Sequence, residues 1–333
     1  MRFQAVIAVV AFAAAGQAQP PTGSIVRFDM ENSTTYDFDC PFSDVGTNAN
    51  NLGHPNNTVG IRSGFLIADI VSVNGNPAKG TAYQLFSPRF GSTPTPAPGH
   101  PIADGVRAGI APWDLDFLNP DGTQIGTIHI DGFVGGNGPP GAPTDLPAGG
   151  GYTVTGGSGA FFGVRGYFQT TAYTMGGRFT SACEDPSLRR VYAGTLGKRQ
   201  GVLYLIPLSR PQILTTPNGP AVTHSSDGTL VTAAKPAKAG EILTLFASGL
   251  GPTRPGVDPG GAFTADPLQV VNSPVQVFVN GIPADVLYAG GYPGAVDGYQ
   301  VNFRVPDGAT AGQGSLQLTS AWIGGPSVTM AVR

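Results

Sequence analysis

Four titratable residues fall on one face of a single expected hairpin: Asp114, Asp116, His129 and Asp131. The turn between its strands reads Asn119-Pro120-Asp121-Gly122. Pro presets the first central position, and Asp then Gly close the bend. With Pro120 and Asp121 at the centre, Trp113 pairs with Ile128 and Leu115 with Gly126. That register collects the apolar residues on one face and the carboxylates with His129 on the other; a slip of one residue would scatter them. Two chemistries are open to the acidic face. Carboxylate and imidazole together can move a proton, with His129 and Asp114 as the preferred pair. A carboxylate cluster can also hold a hard cation, and if buried it has raised pKa values or needs one. The simpler reading is the solvated face of an amphipathic hairpin.

Arg165 and Tyr167 are the second candidates, for ligand binding. Alternation puts both on one strand face, with Phe162 and Val164 on the other. Turned inward, Arg165 would hold a carboxylate or stabilise developing negative charge. Turned outward, it would make a surface or interface salt bridge. The preceding Gly156, Gly157 and Gly159, and Gly166 within the strand, suit a sharp corner and close strand approach. They do not suit phosphate: no Lys follows as in a P-loop, and Phe162 replaces the last glycine of a dinucleotide fingerprint. No GxSxG elbow accompanies His54, His100, His129 or His224, so a serine hydrolase is unsupported. No cofactor and no metal site is implied.

The elements that must position these residues are strands. The chain has 333 residues with 50 Gly, 31 Pro and only 12% charged residues, a composition for short strands and turns rather than long surface helices. Strand-like runs are Ser24–Met30, Thr58–Ser72, Ala78–Phe86, Trp113–Leu118, Thr123–Phe133, Gly151–Thr155, Ala160–Thr174 and Leu203–Ile206. Residues 207–217 read as a linker, and a second series of strands fills 218–333. There Asn280-Gly281 is a strong hairpin signal, pairing Val279 with Ile282, Val277 with Ala284 and Val275 with Val286. The series has the size of an Ig-like β-sandwich.

Arg2, the apolar run Val6–Ala15, and the small residues Gly16 and Ala18 read as an export signal over residues 1–18. The expected location is therefore secreted or extracytoplasmic. No later run reaches transmembrane length. An oxidising compartment would let Cys40 and Cys183 pair, worth roughly 4–5 kcal/mol for so long a loop; the alternative is two free thiols. The net charge of −3 and the lack of a basic block argue against nucleic acid as partner.

The stretch Gly156-Gly157-Ser158-Gly159-Ala160-Phe161-Phe162-Gly163-Val164-Arg165-Gly166-Tyr167 resembles the signature of dirigent and allene oxide cyclase proteins. Ser158 stands for their usual Thr and Val164 for their usual Ala. The resemblance covers residues 24–206 and implies an eight-stranded antiparallel barrel, commonly trimeric, with a mostly apolar lumen. It also implies that Arg165 lies near the pocket. The second half, from Ala237-Lys238-Ala239-Gly240-Glu241 through Gly249-Leu250-Gly251-Pro252 to Tyr299-Gln300-Val301-Asn302, is similar to the C-terminal domain of secreted Solibacter-type acidobacterial proteins. That likeness covers residues 211–333 and implies an extracellular sandwich without an assigned activity.

The expected molecule is all-β: a barrel over 19–206, then a sandwich. The leading function is non-catalytic, holding a small apolar ligand in the bore or engaging an extracellular glycan, protein or other surface component. An isomerase or cyclase confining a substrate in a dry lumen is the alternative, and a structural surface protein a third.

Overall fold

The computed structural model describes residues 23–37, 61–90, 108–135, 152–170, 179–181 and 197–333. The expected signal, Cys40, Cys183, His54 and His100 lie outside these residues.

Eight antiparallel strands close into a barrel: β1 Ser24–Asp37, β2 Ile61–Val73, β3 Asn76–Phe90, β4 Trp113–Leu118, β5 Gln124–Gly135, β6 Tyr152–Gly157, β7 Arg165–Thr170 and β8 Arg199–Ile206. Neighbours in this order pair with each other, and closure comes from β8 against β1, with Ser24 opposite Leu205 and Met30 opposite Arg199. Every second residue faces the bore, so Val26, Phe28 and Met30 meet Leu66, Ala68, Ile70, Leu115, Phe117, Ile128, Phe168, Leu203 and Leu205 in one core.

The turn at 119–123 is longer than the Pro-Asp reading assumed. Asn119 and Thr123 close it by an N–H to carbonyl bond, and the Asp121 carboxylate accepts from the Thr123 N–H and hydroxyl. Trp113 therefore pairs with Ile130 and Leu115 with Ile128, two residues from the expected register. An even shift keeps every side chain on its expected face.

The second half is one curled, sandwich-like sheet. Its principal strands are β9 Val222–His224, β10 Ile242–Ser248, β11 Val275–Val279, β12 Ile282–Gly291, β13 Gly298–Arg304, β14 Gly312–Ser320, β15 Ile323–Gly324 and β16 Val328–Val332. The sheet runs from Gln212–Ile213, inside the stretch expected as linker, through β10, β13, β12, β11 and β14 to β15; β9 pairs with β10 and β16 with β14. The Asn280-Gly281 hairpin forms as expected at Val279–Ile282 and Val277–Ala284. Val286 then pairs with Phe303 rather than Val275, because β12 leaves β11 for β13, with a bulge at 286–288. That change of partner folds the sheet over a core of Leu243, Leu245, Val277, Val279, Val301, Phe303, Leu316 and Leu318.

The two halves meet at the near end of the barrel. The β14–β15 hairpin turns through Ala321 and Trp322, both at positive φ (48° and 62°). Trp322 packs on Phe117 and Phe161, ring centroids 5.4 and 6.5 Å away, while Ala321 and Ile323 are buried in the barrel core. Polar ties surround this aromatic floor. The Asn272 side-chain amide donates to the Gln124 carbonyl (2.7 Å), that of Asn119 donates to the Asn272 carbonyl (2.9 Å), and Arg254 reaches Asp121 (3.3 Å).

Candidate functional site

The acidic face is on the outer wall of the barrel. Asp114 and His129 are directly opposed across β4 and β5, and the imidazole Nδ1–H donates to the carboxylate at 2.6 Å. Both side chains remain about half exposed, at 54% and 51%. Asp116 accepts from the Gln124 amide (2.7 Å) and the Thr127 hydroxyl (3.1 Å), and Asp131 is exposed. Among the described residues no three of His, Cys, Asp or Glu converge as metal ligands. Tyr83 faces Asp114 from β3; burial and then that carboxylate's charge push its phenol pKa up. The face is thus a hydrogen-bonded solvated surface, and its parts were grouped correctly by alternation.

Arg165 and Tyr167 share a face, as expected, and that face points outward. Phe168 between the strand neighbours points in, among Phe28, Trp113 and Tyr152. The Arg165 guanidinium bonds the Val164 carbonyl (2.9 Å), and Tyr167 stacks on Tyr204 of β8 at 5.4 Å. The inward position considered for Arg165 is therefore replaced by an exposed one. Alternation paired these residues but did not rank the faces, because Tyr167 and Phe168 are equally suited to a core.

The glycine corner is structural. Gly159 has φ +58°, and an added Cβ would meet the Ile125 carbonyl at 2.5 Å; at Gly166 it would overlap the Tyr204 carbonyl. A Cβ at Gly157 would meet the Phe161 carbonyl, whereas Gly156 has room for one beside Arg165. The corner carries Phe161 into the floor rather than opening the bore. Between Phe161 and Phe168 the bore is filled: Phe117, Phe28 and Phe168 interlock at centroid distances of 6.0 Å. Among the described residues, the side chains around 156–167 pack against one another where room for a guest was expected.

Polar groups gather instead at the far end of the barrel, where β1, β3, β5 and β7 finish and β2, β4, β6 and β8 begin. Trp113 opens β4, Tyr152 opens β6, Arg199 opens β8, and Gln84 lies opposite Trp113 on β3. The Gln84 amide donates to the Tyr152 hydroxyl at 3.3 Å. The Arg199 guanidinium carbon sits 5.8 Å from the Trp113 ring centre, within cation–π range. Trp113 is 2% exposed, and its indole N–H has no acceptor among the described residues. Sequence reasoning missed this group. Its signal was the alternation Gly201, Leu203, Leu205, which runs back to Arg199, but the strand was begun at Leu203.

A second His–carboxylate pair lies in the curled sheet. His224 sets Nδ1 2.7 Å from the Glu241 carboxylate and Nε2 3.2 Å from the Lys235 carbonyl. Burial raises the Glu241 pKa, but the His224 bond, the Lys238 N–H and the neighbouring positive charges outweigh it and hold the pKa below its ordinary value. Across the described residues no helix is long and apolar enough to cross a membrane. No family model, curated protein or solved structure matches the chain.

Proposed function

We propose that this is an exported, non-catalytic small-ligand-binding protein whose ligand enters the far end of the barrel. The observation that carries the reading is the uneven bore. One end is solid with Phe28, Phe117, Phe161 and Phe168 and floored by Trp322; the other collects Gln84, Trp113, Tyr152 and Arg199. A few convergent polar groups at the mouth of an apolar barrel are what a small-molecule site requires. The export reading rests on the character of residues 1–18, and the likeness of Gly156–Tyr167 to dirigent and allene oxide cyclase barrels supports the choice of a small organic guest. Binding is favoured over cyclase chemistry because His129 and Asp114, the pair expected from the sequence to move a proton, stand outside the bore.

Native mass spectrometry of the full chain, recovered from incubation with a metabolite extract, tests this. A retained mass of a few hundred daltons, lost on Trp113→Ala, is the expected outcome. Protein of bare chain mass after every extract would overturn it. The same spectra report whether barrels associate as trimers.

A further inference from the structure

We propose that the outer face of the curled sheet, across β10, β13 and β12, binds a neutral polysaccharide. Side chains along these strands alternate between the core and the outside. Leu243, Leu245, Val301 and Phe303 go into the core, so Thr244, Phe246, Gln300 and Asn302 share the outer face. The ladder sets Phe246 beside Gln300 and Thr244 beside Asn302, and Asn302 faces Tyr288 on β12. Rings and amides therefore interleave across three strands. Tyr292, 45% exposed, stands against Phe246 at 5.5 Å and 82°, which makes an open aromatic corner. Tyr288 folds down over Gly290, where an added Cβ would overlap the phenol ring. The amides supply the polar half of the surface. Gln300 Nε2 donates to Asn302 Oδ1 at 3.0 Å and holds the two together. The Gln300 carbonyl is left as an acceptor and the Asn302 amino group as a donor, neither with a further partner among the described residues. A hydroxyl both donates and accepts, so neighbouring hydroxyls of a sugar ring match this pair. The apolar C–H face of the same ring suits the aromatic corner. Asp285 and Arg304 oppose each other at one end of the strands and Asp297 stands at the other, but the outward positions between them are neutral. A charged chain would meet no counter-charge there. A protein partner would call for a continuous apolar centre, which Gln300 and Asn302 interrupt. The barrel engages this half through Asn272, Arg254 and Trp322, none of which is on the face, so the site is separate from the barrel ligand proposed above.

Affinity electrophoresis of the full chain tests this, through gels containing hydroxyethyl cellulose, galactomannan, arabinoxylan or amylopectin, with polygalacturonate as the charged control. At least one neutral polymer should retard the chain, and polygalacturonate should not. Tyr292→Ala removes one wall of the aromatic corner, and Asn302→Ala removes the free donor. Each should weaken the retardation at least about tenfold in apparent Kd, with the thermal unfolding midpoint checked alongside. Tyr167→Ala, which removes an exposed ring from the barrel wall, should leave the retardation unchanged. Passage of the chain unretarded through every neutral polymer, equal retardation by polygalacturonate, or full retardation in both Tyr292→Ala and Asn302→Ala overturns the assignment. Concentration-dependent dimerisation that is lost in Tyr292→Ala would also overturn it and give the face to a second copy of the chain.

Discussion

Among the described residues, two His–carboxylate pairs of nearly the same length stand in different settings. His129 and Asp114 meet at 2.6 Å on the barrel wall, with side chains 51% and 54% exposed; His224 and Glu241 meet at 2.7 Å, 3% and 22% exposed. The first pair competes with water for every bond it makes. The second has little water to return to, and His224 has both ring nitrogens committed. Distance alone therefore says little about what an ion pair contributes; burial and the remaining hydrogen bonds decide it. The pair expected as acid–base machinery, His129 with Asp114, is the more exposed of the two.

The largest expected difference is in stability. His224→Ala leaves Glu241 and the Lys235 carbonyl without their imidazole partner and should cost about 2–4 kcal/mol in chemical denaturation. His129→Ala should cost less than about 0.5 kcal/mol. Equal losses would break the comparison. A double-mutant cycle isolates the pairs themselves: coupling of about 1–2 kcal/mol is expected for His224 with Glu241, against at most about 0.5 kcal/mol for His129 with Asp114.

Acid should separate the pairs next. The folded-state pKa of Glu241 lies below its ordinary value of 4.5. Its contribution is therefore fully present above that pH and is lost as the pH falls towards the folded value. Glu241→Gln should flatten this part of the stability profile below pH 4.5, measured by denaturation between pH 3 and 6, whereas Asp114→Asn should leave it intact. An unchanged profile in Glu241→Gln would show that the buried pair is not the source. The smallest effect is functional: His129→Ala should retain the same small-molecule mass in native mass spectrometry as the unaltered protein does, because its imidazole lies on the outer wall of the barrel. Weakened binding there would revive the acidic face as part of the site.

Strand identity was legible residue by residue. Trp113–Leu118 has its expected bounds, and the other barrel strands overlap the runs read from alternation and turn residues, except that the start of the run Ala160–Thr174 is a 3-10 turn, Gly159–Phe161, and its strand begins only at Arg165. Register was legible where the turn is stereotyped. Asn280-Gly281 sets a two-residue link, and Val279–Ile282 follows; the 119–123 turn adds residues through its Asp121 and Thr123 bonds, so the register moved by two. The grouping of Asp114, Asp116, His129 and Asp131 survived that shift because strand periodicity is also two.

Local chemistry determined that this chain forms strands, where most of them turn, and which side chains share a face, since those depend on neighbours a few residues apart. Tertiary closure decided which face became the inside. Phe168 went in and Arg165 out only when β7 was held between β6 and β8. Tertiary contact also decided which end of the bore was stopped. Trp322 reaches Phe117 and Phe161 from the other half of the chain, a meeting governed by packing between sheets rather than by any pattern along the sequence.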